Sequence, residues 1–266
     1  MSEQHSAAVE QAFSQQVSAF EDRRFNKVFT DDVAWLFERL SLAPEQLALD
    51  VAAGTGHAPR ELAQFVHVVV ALDATPAMLA AGKLAADRAG LRNVIFQRGD
   101  AAALPYLDDS FDVVVSRFAI HHFERPSEQA AEMARCLRGG GQLVIADLVS
   151  DDQATVAATQ NRLERLRDPS HTTMLTLDGL VEVVERNGLA VQDVQTRDVD
   201  RPLAPWLAQT EAGEDIVARV GEELHAELAG GAATGFRPRE DAAGLYFVQR
   251  FAAVTAIGPV RAHAAK

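Results

Sequence analysis

The chain has 266 residues and a formal net charge of −13, with 38 acidic side chains against 25 Lys and Arg. That balance argues against a nucleic-acid substrate, because phosphate binding needs a basic surface. Apolar residues make up 48% of the chain, enough for one large domain or a domain with a subdomain, and the single cysteine, Cys136, excludes an intrachain disulfide and suits a reducing compartment.

Met1 to Gln16 is polar with no apolar h-region, so no signal peptide is expected, and no apolar run is long enough for a membrane span. A soluble, cytoplasmic protein is the expectation. Phe13, Val17 and Phe20, then Phe25, Val28, Phe29, Val33, Leu36, Phe37 and Leu40, recur at helical spacing and predict two amphipathic helices before Pro44. From residue 47 strands and helices alternate, with strands near 47–52, 67–72, 93–98, 111–117 and 142–149. Such alternation predicts a parallel sheet with right-handed crossovers. Gly139-Gly140-Gly141 is read as ending the helix that carries Cys136. Beyond residue 150 the spacing predicts a polar helix near 152–166, a helix near 176–187 closed by Gly188, a short strand at 191–194 and an acidic amphipathic helix over 211–229. A loop over 230–244 then precedes a last strand from Leu245. The expected division is N-terminal lid helices over 1–43, a cofactor-binding core over 44–150, lid helices and final strands over 151–258, and a tail over 259–266.

Residues 49–56 read Leu-Asp-Val-Ala-Ala-Gly-Thr-Gly, and the next apolar run ends in Leu72-Asp73. A strand, a Gly-rich turn, a helix and a second strand ending in an acid form a unit that binds an adenosine ribose. Gly54 and Gly56 let the backbone approach a ligand with no Cβ in the way, and the two oxygens of Asp73 can accept both ribose hydroxyls. The third Gly of a dinucleotide fingerprint is missing, Pro59 follows instead, and no triphosphate-cradling G-x-x-x-x-G-K-[ST] occurs. An adenosine cofactor without phosphate, S-adenosyl-L-methionine, fits best.

Four stretches in order resemble the Rossmann-like (class I) S-adenosylmethionine-dependent methyltransferases, in particular the small-molecule branch with the quinone-type C-methyltransferases. They are Leu49 to Gly56; Val70 to Asp73 with Pro76 to Leu79; Gly99 to Pro105 with Ser110 to Asp112; and Leu137 to Gly141. The likeness is good over roughly 45–150 and weaker to about 195. One departure is Ala52, where many members carry Gly, a change read as small. The resemblance implies a seven-stranded, mostly parallel α/β sheet of order 3-2-1-4-5-7-6 with helices on both faces and a helical lid. It also implies methyl transfer to a small molecule, with the O, N, C or S atom open; the alternative is a cofactor-binding protein without methyl transfer, such as a sensor, scaffold, lyase or cyclase.

Methyl transfer asks the protein for positioning and desolvation, and for a base where the acceptor must lose a proton. For the cofactor the candidates are the turn residues Asp50, Ala52, Gly54, Thr55 and Gly56, then Asp73 with Ala74, and Met78, which could pack on the adenine or lie in the core. Gly99, Asp100 and Ala101 follow; the resemblance puts the acid by the adenine amino group, while an Asp before Ala-Ala-Ala also reads as a helix cap. Arg117 and Phe118, after the fourth strand, are placed by the resemblance beside the methionyl group. The candidate bases are His121, His122 and His171, since imidazole titrates near neutrality, each weighed against a capping or core role. Asp168 and Ser170 offer capping oxygens to the next helix. Phe13, Phe20, Phe25 and Trp206 are candidates to roof a mostly apolar acceptor pocket. No metal is expected, because H-E-x-x-H and paired cysteines are missing. The oligomeric state stays open, a homodimer among the options.

Overall fold

The structure, a computed structural model, describes residues 3–21 and 33–259. Helix α1 (Glu3–Glu21) precedes a 3-10 turn (Ala34–Phe37) and strand β1 (Leu47–Val51). Then come α2 (His57–Leu62), β2 (Val68–Asp73), α3 (Pro76–Arg88), β3 (Val94–Arg98), β4 (Phe111–Arg117), α4 (Pro126–Cys136) and β5 (Leu137–Leu148). The remainder holds α5 (Ala154–Arg167), α6 (Leu177–Glu185), β6 (Ala190–Pro202), α7 (Leu203–Ala208), α8 (Glu214–Leu228), β7 (Arg239–Asp241) and β8 (Gly244–Ile257).

Strands β1 to β5 pair in parallel, and their near-continuous apolar runs follow from burial on both faces. Neighbouring residues of one strand serve opposite layers. Leu49 and Val51 join the layer of Met133, Leu180 and Val184, whereas Ala48 joins that of Trp35, Phe37 and Leu62. Pro76 and Pro126 sit in the first turns of α3 and α4, where a missing N–H costs nothing. The order is β3-β2-β1-β4-β5-β8-β6. The last long strand therefore lies antiparallel between the fifth and sixth, as the family topology implies. The sheet has eight strands rather than seven, because β7, inside the segment read as loop, forms a hairpin with β8.

Three further differences have physical causes. The Gly139-Gly140-Gly141 run lies inside β5: Leu137 already pairs with Phe111, and the register then jumps to Gln142 opposite Val113, so the glycines form a bulge. Strand β6 runs for 13 residues instead of four, paired with β8 along its whole length. Its half-buried face carries Asp193, Gln195, Arg197 and Arg201, so no apolar alternation marks it. The short helix α7 follows directly, closed around a Pro that fits a first turn. Of the second N-terminal helix, Phe25, Val28 and Phe29 lie outside the described residues, while Val33, Leu36 and Phe37 are buried around the 3-10 turn. A separate apolar cluster of Leu163, Leu203, Trp206, Leu224, Phe236 and Phe247 ties α5, α7, α8 and β8 into one block beyond the sheet edge.

Gly82 fixes how closely α3 approaches the Gly-rich turn. A Cβ there would stand 2.6 Å from the Thr55 carbonyl oxygen and 2.5 Å from the Phe96 ring. In an open helix Gly82→Ala would gain about 1 kcal/mol; here overpacking against backbone should reverse the sign, for a net loss of about 1–3 kcal/mol. Thermal unfolding followed by circular dichroism checks this, and a melting temperature at or above wild type contradicts it.

Candidate active site

Between β1 and β4 the strand order reverses, and the loops leaving their carboxyl ends diverge to open a cleft. Asp50 lies near the end of β1, and the turn behind it uses three left-handed residues: Ala52 (φ 59°), Gly54 (φ 56°) and Gly56 (φ 78°). A Cβ on Gly54 would meet nothing within 4 Å, so the turn presents bare backbone to the cavity there. At Gly56 the added Cβ would stand 2.9 Å from Phe96, which makes that residue a packing glycine. Asp73, at the end of β2, binds the turn from below: Oδ2 accepts from the Gly54 N–H (2.8 Å) and Oδ1 from the Thr75 N–H (2.8 Å). Burial pushes the Asp73 carboxyl above its usual range in spite of these bonds. Two buried polar atoms of the same turn, Asp50 Oδ1 and Thr55 Oγ1, have no hydrogen-bond partner among the described residues. Burial raises the Asp50 pKa to about 8, opposed by the Arg117 charge and reinforced by Asp73.

Across the cleft, Arg117 ends β4 with its guanidinium 4.7 Å from the Phe118 ring centroid, and Phe118 itself is left-handed (φ 54°). A 3-10 turn (Ile120–His122) then brings two histidines to the cavity wall. His121 Nδ1 lies 2.5 Å from Asp147 Oδ1, and its backbone N–H donates to Asp147 Oδ2 at 3.1 Å. Asp147, at the end of β5, is 1% exposed. Burial lowers the His121 pKa, but the charge and hydrogen bond of Asp147, aided by Glu164 and Asp168, outweigh it and leave the imidazole above its ordinary value. A carboxylate at Nδ1 fixes the proton there, and Nε2 makes no hydrogen bond among the described residues. His122 differs. Its Nδ1 faces the Ser170 carbonyl oxygen (3.1 Å), and burial with the His121 charge beside it pushes its pKa down to about 4.

The roof comes from outside the sheet. Val9, Phe13, Gln16 and Phe20 of α1 line the cavity, and so do Trp206 of α7 and Arg201 and Gln249 of the β6–β8 pair. Helix α1 is held there by Phe20 O to the His57 ring (3.0 Å), Arg60 to Glu21 (3.2 Å) and Arg98 to Glu10 (3.3 Å).

Of the sixteen cofactor and base candidates, twelve line this one cavity: Asp50, Ala52, Gly54, Thr55, Asp73, Ala74, Gly99, Ala101, Arg117, Phe118, His121 and His122; the roof candidates Phe13, Phe20 and Trp206 line it too. Four do not reach it. Gly56 packs on Phe96, and Met78 is 1% exposed in the core under α3. The Asp100 carboxylate turns back to accept from the Ala102 N–H (2.9 Å), holding a tight turn; no helix follows, so the cap read there is not formed. His171 is buried with Nε2 on Asn161 Oδ1 (2.8 Å), and burial beside two other histidines holds its pKa far below the imidazole range. Asp168 and Ser170 bond to each other instead of capping α6, whose cap is the Thr176 hydroxyl. Asp147 and Arg201 were missed by sequence reasoning, and Arg167, at the head of the Arg167-Asp-Pro-Ser-His171 run, was given no role. Asp147 had a signal, since it closes the apolar run Leu143-Val-Ile-Ala just as Asp73 closes its own. Among the described residues no group of His, Cys, Asp or Glu is placed to hold a metal, and no helix is long and apolar enough to cross a membrane.

The sequence matches the methyltransferase domain family (Methyltransf_11) over residues 49–145, and the anamorsin N-terminal family over 101–212. It is 32% identical over 200 residues to the uncharacterized methyltransferase YcgJ of Bacillus subtilis, covering 74% of this chain and 78% of that protein. The crystal structure of YcgJ superposes with a TM-score of 0.78 at 26% identity, covering 85% of this chain and 97% of that one. The chain is a Rossmann-like S-adenosylmethionine-dependent methyltransferase. A demethylmenaquinone methyltransferase of Renibacterium salmoninarum is 37% identical over 131 residues, 49% of this methyltransferase and 50% of that one. Phosphoethanolamine N-methyltransferase 2 of Haemonchus contortus, solved with S-adenosylhomocysteine, shares the fold alone (TM-score 0.63, 17% identity, 92% of this chain and 58% of that one).

S-adenosylmethionine fits the residues present. The bare Gly54 backbone, the orphaned oxygens of Asp50 and Thr55, and the Asp73 carboxylate at the cavity wall are what a ligand with hydroxyls and an ammonium would meet. The Ala52 departure is not small for the backbone, since an L-residue in the left-handed region costs about 1–2 kcal/mol. Ala52→Gly should therefore stabilise the methyltransferase by about 0.5–1 kcal/mol after the extra freedom of the unfolded glycine is counted. Urea unfolding at constant m-value measures this, and a loss of stability would contradict the strain.

Proposed function

We propose that this methyltransferase acts on a small molecule whose hydroxyl or amine loses its proton to His121, with Asp147 fixing the ring. The observation that carries the reading is the short Asp147–His121 contact on the cavity wall opposite the Gly-rich turn. Asp73 takes the ribose hydroxyls, Gly99 and Ala101 flank the adenine, Asp50 faces the methionyl ammonium and Arg117 its carboxylate. When bound, S-adenosylmethionine supplies an activated methyl on a sulfonium, transferred by in-line displacement. The chain itself needs only to orient the acceptor, exclude water beneath α1 and α7, and accept one proton at His121 Nε2. Helices α1 and α7 serve as the lid over the cofactor-binding core, whose sheet is completed by the final strands β6 and β8. A single buried Cys136 and an acidic surface support a cytoplasmic site of action on an acceptor other than nucleic acid.

Two experiments test this assignment. An ammonium beside Asp50 favours its carboxylate, so binding of S-adenosylhomocysteine should release a proton, and affinity should rise with pH until about 8 and then level off. Calorimetry in buffers of different ionisation enthalpy reads the proton directly, and Asp50→Asn should abolish its release; equal release in both proteins moves the ammonium elsewhere. For the base, turnover should rise with pH through a midpoint above 6.5, because the proton on Nε2 must leave an imidazole whose pKa is raised. His121→Ala should lower turnover by roughly 10²–10⁴ with cofactor affinity retained. Asp147→Asn should shift the midpoint downward. Wild-type turnover in His121→Ala leaves positioning alone as the source of rate.

A further inference from the structure

The half of the cavity away from the Gly-rich turn holds charges that proton transfer does not use. Arg167, the last residue of α5, and Arg201, near the end of β6, both line it among Phe118, Leu148 and Trp206. Arg201 is 4% exposed, and the Arg167 side chain is 13% exposed. Arg201 donates to the amide oxygens of Gln249 (2.8 Å) and Gln209 (3.3 Å). Arg167 lies 4.4 Å over the Trp206 ring, donates to the Trp206 carbonyl oxygen (3.3 Å) and pairs with Glu164 at 3.4 Å. Its buried Nε–H has no hydrogen-bond partner among the described residues.

The nearby carboxylates do not fill this corner. Glu164 stands behind the wall, where it also accepts from the Gln249 amide (3.1 Å). Asp168 also lines the cavity; its Oδ1 holds the Ser170 N–H and hydroxyl, and its Oδ2 stands 4.0 Å from Arg167, at the outer limit of an ion pair. Burial and the Arg167 charge push Arg201 down to about 10, with Glu164 opposing, so the two guanidiniums feel each other. Two buried guanidiniums thus line one end of the cavity, Arg167 with its Nε–H unmatched and Arg201 on neutral amide oxygens as well as its other contacts, and a bound anion would help offset the desolvation of both.

We propose that the acceptor carries an anionic group, a carboxylate or phosphate, held by Arg167 and Arg201. This rests on the methyltransferase reading and narrows it: the acceptor is an acid whose charged end lies against α5 and β6 and whose reacting hydroxyl or amine lies by His121. Planar guanidiniums suit both groups, since each can donate two parallel N–H bonds to a pair of oxygens. An acceptor in which an amide replaces the acid would forgo the charge-assisted bonds to both guanidiniums, and so bind less well.

The test uses the full chain saturated with S-adenosylhomocysteine, whose own binding is measured first by calorimetry. Inorganic phosphate, acetate and acetamide are then titrated at constant ionic strength, with calorimetry and tryptophan fluorescence (Trp35 and Trp206) as readouts. Phosphate and acetate should each saturate, and acetamide should not. Arg167→Gln and Arg201→Gln should each weaken the anions by roughly tenfold or more while S-adenosylhomocysteine affinity holds. No saturable anion binding to the wild-type complex overturns the proposal, as does equal binding of acetamide. The wild-type comparison decides the matter even where a variant fails to fold. Anion affinity unchanged in both folded variants also overturns it. Failure of S-adenosylhomocysteine to bind at all speaks instead against the methyltransferase reading.

Discussion

Three carboxylates at the carboxyl ends of parallel strands are buried in this fold: Asp50 on β1, Asp73 on β2 and Asp147 on β5, at 2%, 9% and 1% exposure. An ionised carboxylate in an apolar interior is tolerated only where donors surround it. Asp73 collects two backbone N–H groups, one from the Gly-rich turn and one from the start of α3. Asp147 collects the His121 ring and the backbone N–H groups of His121 and Leu148. Asp50 alone keeps an oxygen unmet. Among the described residues the chain therefore satisfies Asp73 and Asp147 and leaves unmet an oxygen of the acid that lines the cavity beside the Gly-rich turn. The cost of burying Asp50 is visible in its raised pKa, the mark of a strained functional-site acid.

The rest of the molecule keeps this edge dry. The aromatic block of Trp206, Phe236 and Phe247, with ring centroids 4.8–5.7 Å apart, anchors the wall that presents Arg167 and Arg201. Helix α1 closes the other side through Phe13, which packs edge-on to His122 at 4.9 Å. Water exclusion strengthens every charge contact inside and accounts for the divergent histidines: one raised by its carboxylate, two lowered by burial. Of these three, His121 alone is held above the ordinary imidazole value.

The nucleotide half of the fold was legible because its determinants are local. Strand β1, the left-handed glycines and Asp73 sit within one short segment, and each carries its own chemistry whatever packs around it. Strand β6 was legible only in part: its half-buried face is polar and its order comes from β8, far along the chain. The same holds for Asp147 and the arginines. That Asp147 would meet His121 depends on the β4–β5 register, and the Arg201–Gln249–Glu164 chain joins β6, β8 and α5. The helix caps read at Asp168 and Ser170 failed for a related reason, since those side chains were drawn into a tertiary network with His122.

The central claim is that one cleft places the transferable methyl within reach of the His121 ring. A crystal structure with S-adenosylhomocysteine measures this most directly. The account predicts ribose hydroxyls on the Asp73 carboxylate, the ammonium against Asp50, and the sulfur opening toward His121 Nε2 with room between them for an acceptor atom. A ligand whose sulfur points away from His121, or whose ribose lies off Asp73, would contradict it.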